Sequence, residues 1–220
     1  MKDRENSLII GLAIVGGGIV MLGIVYILAV AIDAGDGLYS KNVSAAMAPT
    51  LLNGDYVTSR RLDVVRKPSS AHRGDLVIHK FPPDPAQQFI KRLIGLPGDT
   101  LAMKGGLVLV NQRPLSETYT QHTDSTDPVT DEFRWQRAYL TGEARLDSAH
   151  YAPSRDNWGP LIVPPGQFFV LGDNRTESLD SRWFGFVSGN DIVARVRRIY
   201  FSRDVSTGKI RWSRLGRFVH

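Results

Sequence analysis

Hydrophobic positions along this chain fall into two kinds of pattern. From Leu8 to Ile32 runs a stretch of 25 residues without a charged side chain, roughly 37 Å long as a helix and enough to cross a bilayer with some tilt. After Asp33 the apolar runs become short and are bounded by Gly, Pro, Asn and Asp. Asp75–Ile78, Gln88–Ile94, Leu107–Val110, Gln167–Leu171 and Ile192–Phe201 read as strands. Turn chemistry separates them at Asn53-Gly54-Asp55, Arg73-Gly74-Asp75, Pro97-Gly98-Asp99 and Pro164-Pro165-Gly166. No βαβ spacing occurs. The pattern predicts a mainly β fold of packed or closed antiparallel sheets, preceded by one N-terminal transmembrane helix.

Residues 116–160 break the pattern. They are polar, carry eight of the chain's 22 acidic residues and give few strand signals. The expected organisation is a cytoplasmic N-terminus (1–7), an anchor (8–32), a β core in two parts (33–115 and 161–220) and an inserted polar cap (116–160). Lys2, Arg4 and the amino terminus precede the apolar run, and only Lys41 follows closely. That asymmetry puts the N-terminus in the cytoplasm and the remainder outside. Ala29-Val30-Ala31 fits a small-x-small cleavage site, but the apolar run is longer than a signal-peptide core, which favours an anchor.

Composition narrows the chemistry. The absence of cysteine excludes disulfides, a thiol nucleophile and Cys-ligated metals. The five histidines, at 72, 79, 122, 150 and 220, show no metal-ligand spacing, so no metal and no cofactor is expected. Neither a Gly-x-Ser-x-Gly elbow nor a nucleotide-binding loop occurs. The formal charge is +5, and residues 189–220 hold eight basic residues against Asp191 and Asp204, a local +6. Beside an anchor, this tail, with Trp183, Phe184 and Trp212, is expected to meet membrane phospholipid rather than nucleic acid.

Three segments carry candidate chemistry. In Ser44-Ala45-Ala46-Met47-Ala48-Pro49-Thr50-Leu51, Pro49 stiffens the chain and pushes Ala48 toward extended geometry. In Phe89-Ile90-Lys91-Arg92-Leu93-Ile94, strand alternation puts Lys91 between apolar neighbours. That is either an edge lysine reaching water or a desolvated amine fit to act as a base near neutral pH. Gly172-Asp173-Asn174-Arg175-Thr176-Glu177-Ser178-Leu179-Asp180-Ser181-Arg182 is a polar loop in which Asp180 and Arg182 can pair.

In this order, the three segments resemble the type I signal peptidases, membrane-anchored Ser–Lys endopeptidases that remove signal peptides from exported preproteins. The resemblance also takes in Gly95-Leu96-Pro97-Gly98-Asp99, the apolar run and the arginine-rich finish, but not the polar insertion. It implies that Lys91 is the general base, Ser44 supports an oxyanion hole at the position-46 N–H, and Ser178 orients the lysine. It implies a structural pair for Asp180 and Arg182, and shallow apolar substrate pockets at Met47, Leu51, Phe89 and Ile90. It places the enzyme in the bacterial plasma membrane with its catalytic part on the outer side.

One position departs sharply. Ala46 stands where the family has its nucleophilic serine, and a methyl group cannot attack a carbonyl. The chain as written is therefore expected to bind signal peptides without cutting them, as an inactivated enzyme or a natural pseudoenzyme. Ser44, two residues away on an extended chain, would lie roughly 6–7 Å off. Ser40, Asn42 and Thr176-Glu177 depart from the family pattern too. A membrane-tethered peptide-binding module without catalysis is the alternative, and a related Ser–Lys self-cleaving repressor fold is opposed by the long apolar run.

Overall fold

The computed structural model describes residues 18–28 and 38–219. The chain is mainly β, and every paired strand is antiparallel. Its strands are β1 (Leu38–Lys41), β2 (Asp55–Arg61), β3 (Leu76–Phe81), β4 (Asp84–Gly95), β5 (Thr100–Lys104), β6 (Leu107–Val110), β7 (Arg113–Pro114), β8 (Trp158–Ile162), β9 (Gln167–Leu171), β10 (Val187–Ser188) and β11 (Ile192–Ser202). A seven-stranded sheet has the order β1-β2-β11-β3-β4-β9-β10, and a four-stranded sheet the order β7-β6-β5-β8.

β4 is the pivot. Twelve residues long, it is exposed over its first five positions and buried over its last five. Its first half pairs with β3, and its second half also pairs with β9. Once both edges and both faces are covered, the alternation that marks a half-exposed strand disappears. Gly95 ends it at a close approach, where a Cβ would lie 2.4 Å from Leu101 Cδ1 and 2.9 Å from Phe169 Cβ. The Gly74 and Gly98 turns on either side of this unit take positive φ (+93° and +88°), which glycine tolerates without steric cost.

Between β7 and β8 the chain forms short helices rather than sheet strands. The longest, Asp131–Tyr139, is capped by the Thr130 hydroxyl, which accepts from the Glu132 N–H. It buries Phe133, whose ring meets Trp183 edge-on at 4.8 Å between centroids. β8 begins at Trp158, so sheet structure resumes two residues before the expected boundary at 160.

The basic finish is not a free arm. Arg214 and Asp55 form a buried pair across 159 residues of sequence, Arg211 reaches Asp204 at 2.8 Å, and Arg195 reaches Asp75 at 3.2 Å. β11, an inner strand of the larger sheet, supplies part of this charge. Trp183 and Phe184 are likewise taken up in packing, the latter against His79 and Phe81, whereas Trp212 is 72% exposed. Three of the eight basic residues of the finish, Arg195, Arg211 and Arg214, are paired within the fold.

Residues 18–28 are helical, and the Tyr26 hydroxyl donates to the Tyr200 carbonyl. Among the described residues, no helix is long and apolar enough to cross a membrane. The span expected over 8–32 lies partly outside the described residues.

Candidate active site

The segment after β1 is a run of turns, not the extended chain expected around Pro49. Ala48 N–H donates to Ala45 O at 2.9 Å and Leu51 N–H to Met47 O at 2.7 Å. Asn42 is buried and its Nδ2 donates to Ser44 O. Met47 and Leu51, expected at substrate pockets, are instead fully buried against Val57, Leu76 and Ile78. Their burial pins the segment to the sheet and leaves Ser44 exposed, with Ala46 at the surface edge (5% exposed).

β4 delivers Lys91 to the same place. It is 4% exposed, stands opposite Val77 of β3, and its ammonium lies 5.4 Å from the centre of the Phe89 ring. Among the described residues no carboxylate lies within ion-pair distance of it. Burial, the largest influence, pulls its pKa down to about 8; Asp180 and Asp173 work upward and Arg182 downward without reversing that.

The loop after β9 closes over the lysine. Gly172 makes the closure possible: a Cβ there would sit 2.1 Å from Ser178 Oγ and 2.6 Å from Ala46 O. Asn174 N–H donates to that same Ala46 carbonyl at 3.1 Å, tying the loop to the turn. Ser178 is 5% exposed and its hydroxyl makes no hydrogen bond of ordinary geometry, although it is near enough to Asp180 to help keep that carboxyl ionised. A buried hydroxyl without a partner is costly, which makes this one available to a neighbouring amine.

Asp180 and Arg182 do pair. Arg182 Nε and Nη2 each reach the carboxylate at 2.8 Å, and Gly172 N–H adds a bond of 3.0 Å. Burial pushes the Asp180 pKa up, but Arg182 and these hydrogen bonds outweigh it and hold the group below the usual carboxylate value. Asp180 also caps the short helix Ser181–Phe184.

An open groove of about 450 Å³ gathers Ser44, Ala46, Phe89, Ile90 and Lys91, together with Lys41, Gln87, Gln88, Glu177 and Leu179. Of the residues singled out in the sequence, Met47 and Leu51 fall in the core. Ser178, Asp180 and Arg182 stand behind the groove. Among the described residues, no cluster of three or more His, Asp or Glu side chains is placed to hold a metal ion.

Sequence reasoning missed the residues that brace the groove. Arg92, next to Lys91 but on the opposite face, clasps Asp173 at 2.8 and 2.6 Å, donates to Gly74 O and lies 3.7 Å from the centre of the Tyr119 ring. Thr50 Oγ1 donates to the same Asp173 carboxylate. Glu117, at the start of the insertion, pairs with the buried Arg175. The Gly-Asp-Asn turn and the second cation of the Lys-Arg pair were the available signals. Their partnership spans 81 residues and depends on the pairing of β4 with β9.

The family model described as signal peptidase, peptidase S26, matches residues 17–201. A signal peptidase I from Bacillus caldolyticus is 36% identical over 151 residues, covering 69% of this chain and 72% of that protein. One from Leptolyngbya laminosa is 33% identical over 161 residues; the match takes in 69% of this chain and 63% of the relative's length. A crystal structure of a signal peptidase I from Enterococcus faecalis shares 31% identity over 56% of this chain and 92% of its own. Its TM-score of 0.37 is too low to bear on the fold. The chain belongs to the signal peptidase family, peptidase S26.

Proposed function

We propose that this chain is a Ser–Lys signal peptidase whose binding groove and general base are in place and whose nucleophile is absent. The observation that carries the reading is the buried Lys91 amine, lowered to about 8, opening into the groove that holds Ala46. With a serine at position 46, the neutral amine would take the hydroxyl proton as the oxygen attacks the peptide carbonyl. The resulting ammonium would return that proton to the departing amine. Ser178 would orient the amine, while Ser44 and the position-46 N–H would support the developing oxyanion. Phe89 and Ile90 give the groove shallow apolar walls suited to small side chains, such as alanine at the −1 and −3 positions of a preprotein.

As written, the chain binds such peptides without cutting them, since a nucleophile acts mainly in the transition state while pockets and backbone hydrogen bonds act in the ground state. The apolar run at 8–32 serves as a single-pass anchor that holds the groove at the outer face of the plasma membrane. The test is Ala46→Ser, which should gain cleavage of signal peptides. Adding Lys91→Met should return the rate to background, a loss of between about a hundredfold and ten-thousandfold. Cleavage that survives the second substitution would remove Lys91 from the mechanism. No cleavage by Ala46→Ser would favour a peptide-binding module.

A further inference from the structure

We infer that Glu177 is a specificity-determining residue, favouring a peptide with a basic side chain beside the scissile bond. The inference rests on the peptide-binding reading of the groove and adds a charge preference to it.

From Glu177 to Asp180 the loop alternates in exposure as it passes the groove. Ser178 turns inward and is buried, while Glu177 and Leu179 on either side are exposed and line the groove. The position of Glu177 along the groove follows from Ser178. That hydroxyl is packed against Gly172 so closely that a Cβ on the glycine would clash with both it and Ala46 O. Glu177 is one residue from this contact, about 3.8 Å between Cα atoms. Its backbone therefore passes close to Ala46, where the bond to be cut would lie, and its side chain lines the same groove.

The carboxylate is not committed elsewhere. It accepts one long bond, 3.4 Å, from Asn174 Nδ2, while the Glu177 backbone N–H donates to Asn174 Oδ1, and no cation among the described residues pairs with the carboxylate. The remaining walls provide no competing negative charge: Gln87 and Gln88 are neutral, Phe89 and Ile90 apolar. Lys41, the exposed cation on the groove, lies 5.6 Å from the centre of the Tyr56 ring. A peptide lysine or arginine beside the cut meets one carboxylate, and a peptide glutamate there meets repulsion. Electrostatic complementarity of this kind discriminates between ligands more than it adds affinity.

The experiment uses the chain as it exists, which binds without turnover. Twelve-residue peptides with alanine at −1 and −3 carry lysine, glutamine or glutamate scanned through the positions flanking the scissile bond. Affinities are read by titration at low and high salt. At one flanking position lysine should bind about fivefold tighter than glutamate, as expected of an exposed charge pair. The ratio should shrink in high salt. Glu177→Gln should bring it near unity, and Lys41→Gln should leave the lysine preference standing. Peptides that bind with no charge preference, or a preference that survives Glu177→Gln, would overturn the assignment while leaving the binding groove intact. Failure of every peptide to bind would overturn both.

Discussion

Lys91 and Arg92 are consecutive cations on one strand, 4% and 1% exposed, yet their surroundings are opposite. Arg92 faces a bidentate carboxylate, a backbone carbonyl and an aromatic ring. Lys91 faces a phenyl ring and an open groove, with no carboxylate partner among the described residues. A buried cation with every donor answered is a structural element whose charge is fixed. A buried cation without a carboxylate partner gives way by losing its proton, and that makes it useful as a base. Strand alternation puts the two on opposite faces, so one strand can brace the loop with one residue and offer an amine with the next.

Substitutions at this pair should separate the two roles. The largest effect is on rate: in an Ala46→Ser background, Lys91→Met removes cleavage as above, while the fold remains. Arg92→Met should leave Asp173 buried and unpaired, and lower unfolding stability by about 3–5 kcal/mol. Denaturant melts of both variants check this. Equal losses for Lys91→Met and Arg92→Met would erase the distinction. Lys91→Met should be as stable as the parent at neutral pH, or more so, because it removes an ammonium that burial disfavours.

The sign of the pH dependence follows from the lowered lysine pKa. Between about pH 8, where the folded lysine titrates, and the ordinary lysine value of 10.5, the unfolded chain holds the additional proton. Parent stability therefore gains from Lys91 as pH rises through that window, and the advantage of Lys91→Met shrinks across it.

Ser178→Ala is the subtler case. Its hydroxyl makes no ordinary hydrogen bond, so stability should change by less than about 1 kcal/mol. Cleavage by the Ala46→Ser enzyme should nonetheless fall about a hundredfold as the amine loses its guide. A stability loss as large as that of Arg92→Met would make Ser178 a structural residue instead.

Much of this arrangement was legible because local rules and tertiary context agree. The runs at Leu107–Val110 and Gln167–Leu171 are strands with the expected limits, and the Asp180–Arg182 pair lies within one turn of chain. β2, with the sequence Asp-Tyr-Val-Thr-Ser-Arg-Arg, was not legible: it is strand because β1 and β11 pair with it, not because its own residues are apolar. Met47 and Leu51 are apolar on either reading, and only the turns around Ala46 decide that they face inward. That Arg214 in the basic finish is an internal partner was not legible either, because Asp55 lies far earlier in the sequence.

The central claim is that Lys91 is a desolvated amine. Its titration can be followed directly by NMR on the chain with labelled lysine side chains, with Lys91→Met identifying the resonance. The account predicts a midpoint near 8, well below the other lysines. A midpoint at the ordinary value of about 10.4 would mean an ammonium held charged at neutral pH, and would contradict the assignment of Lys91 as the base.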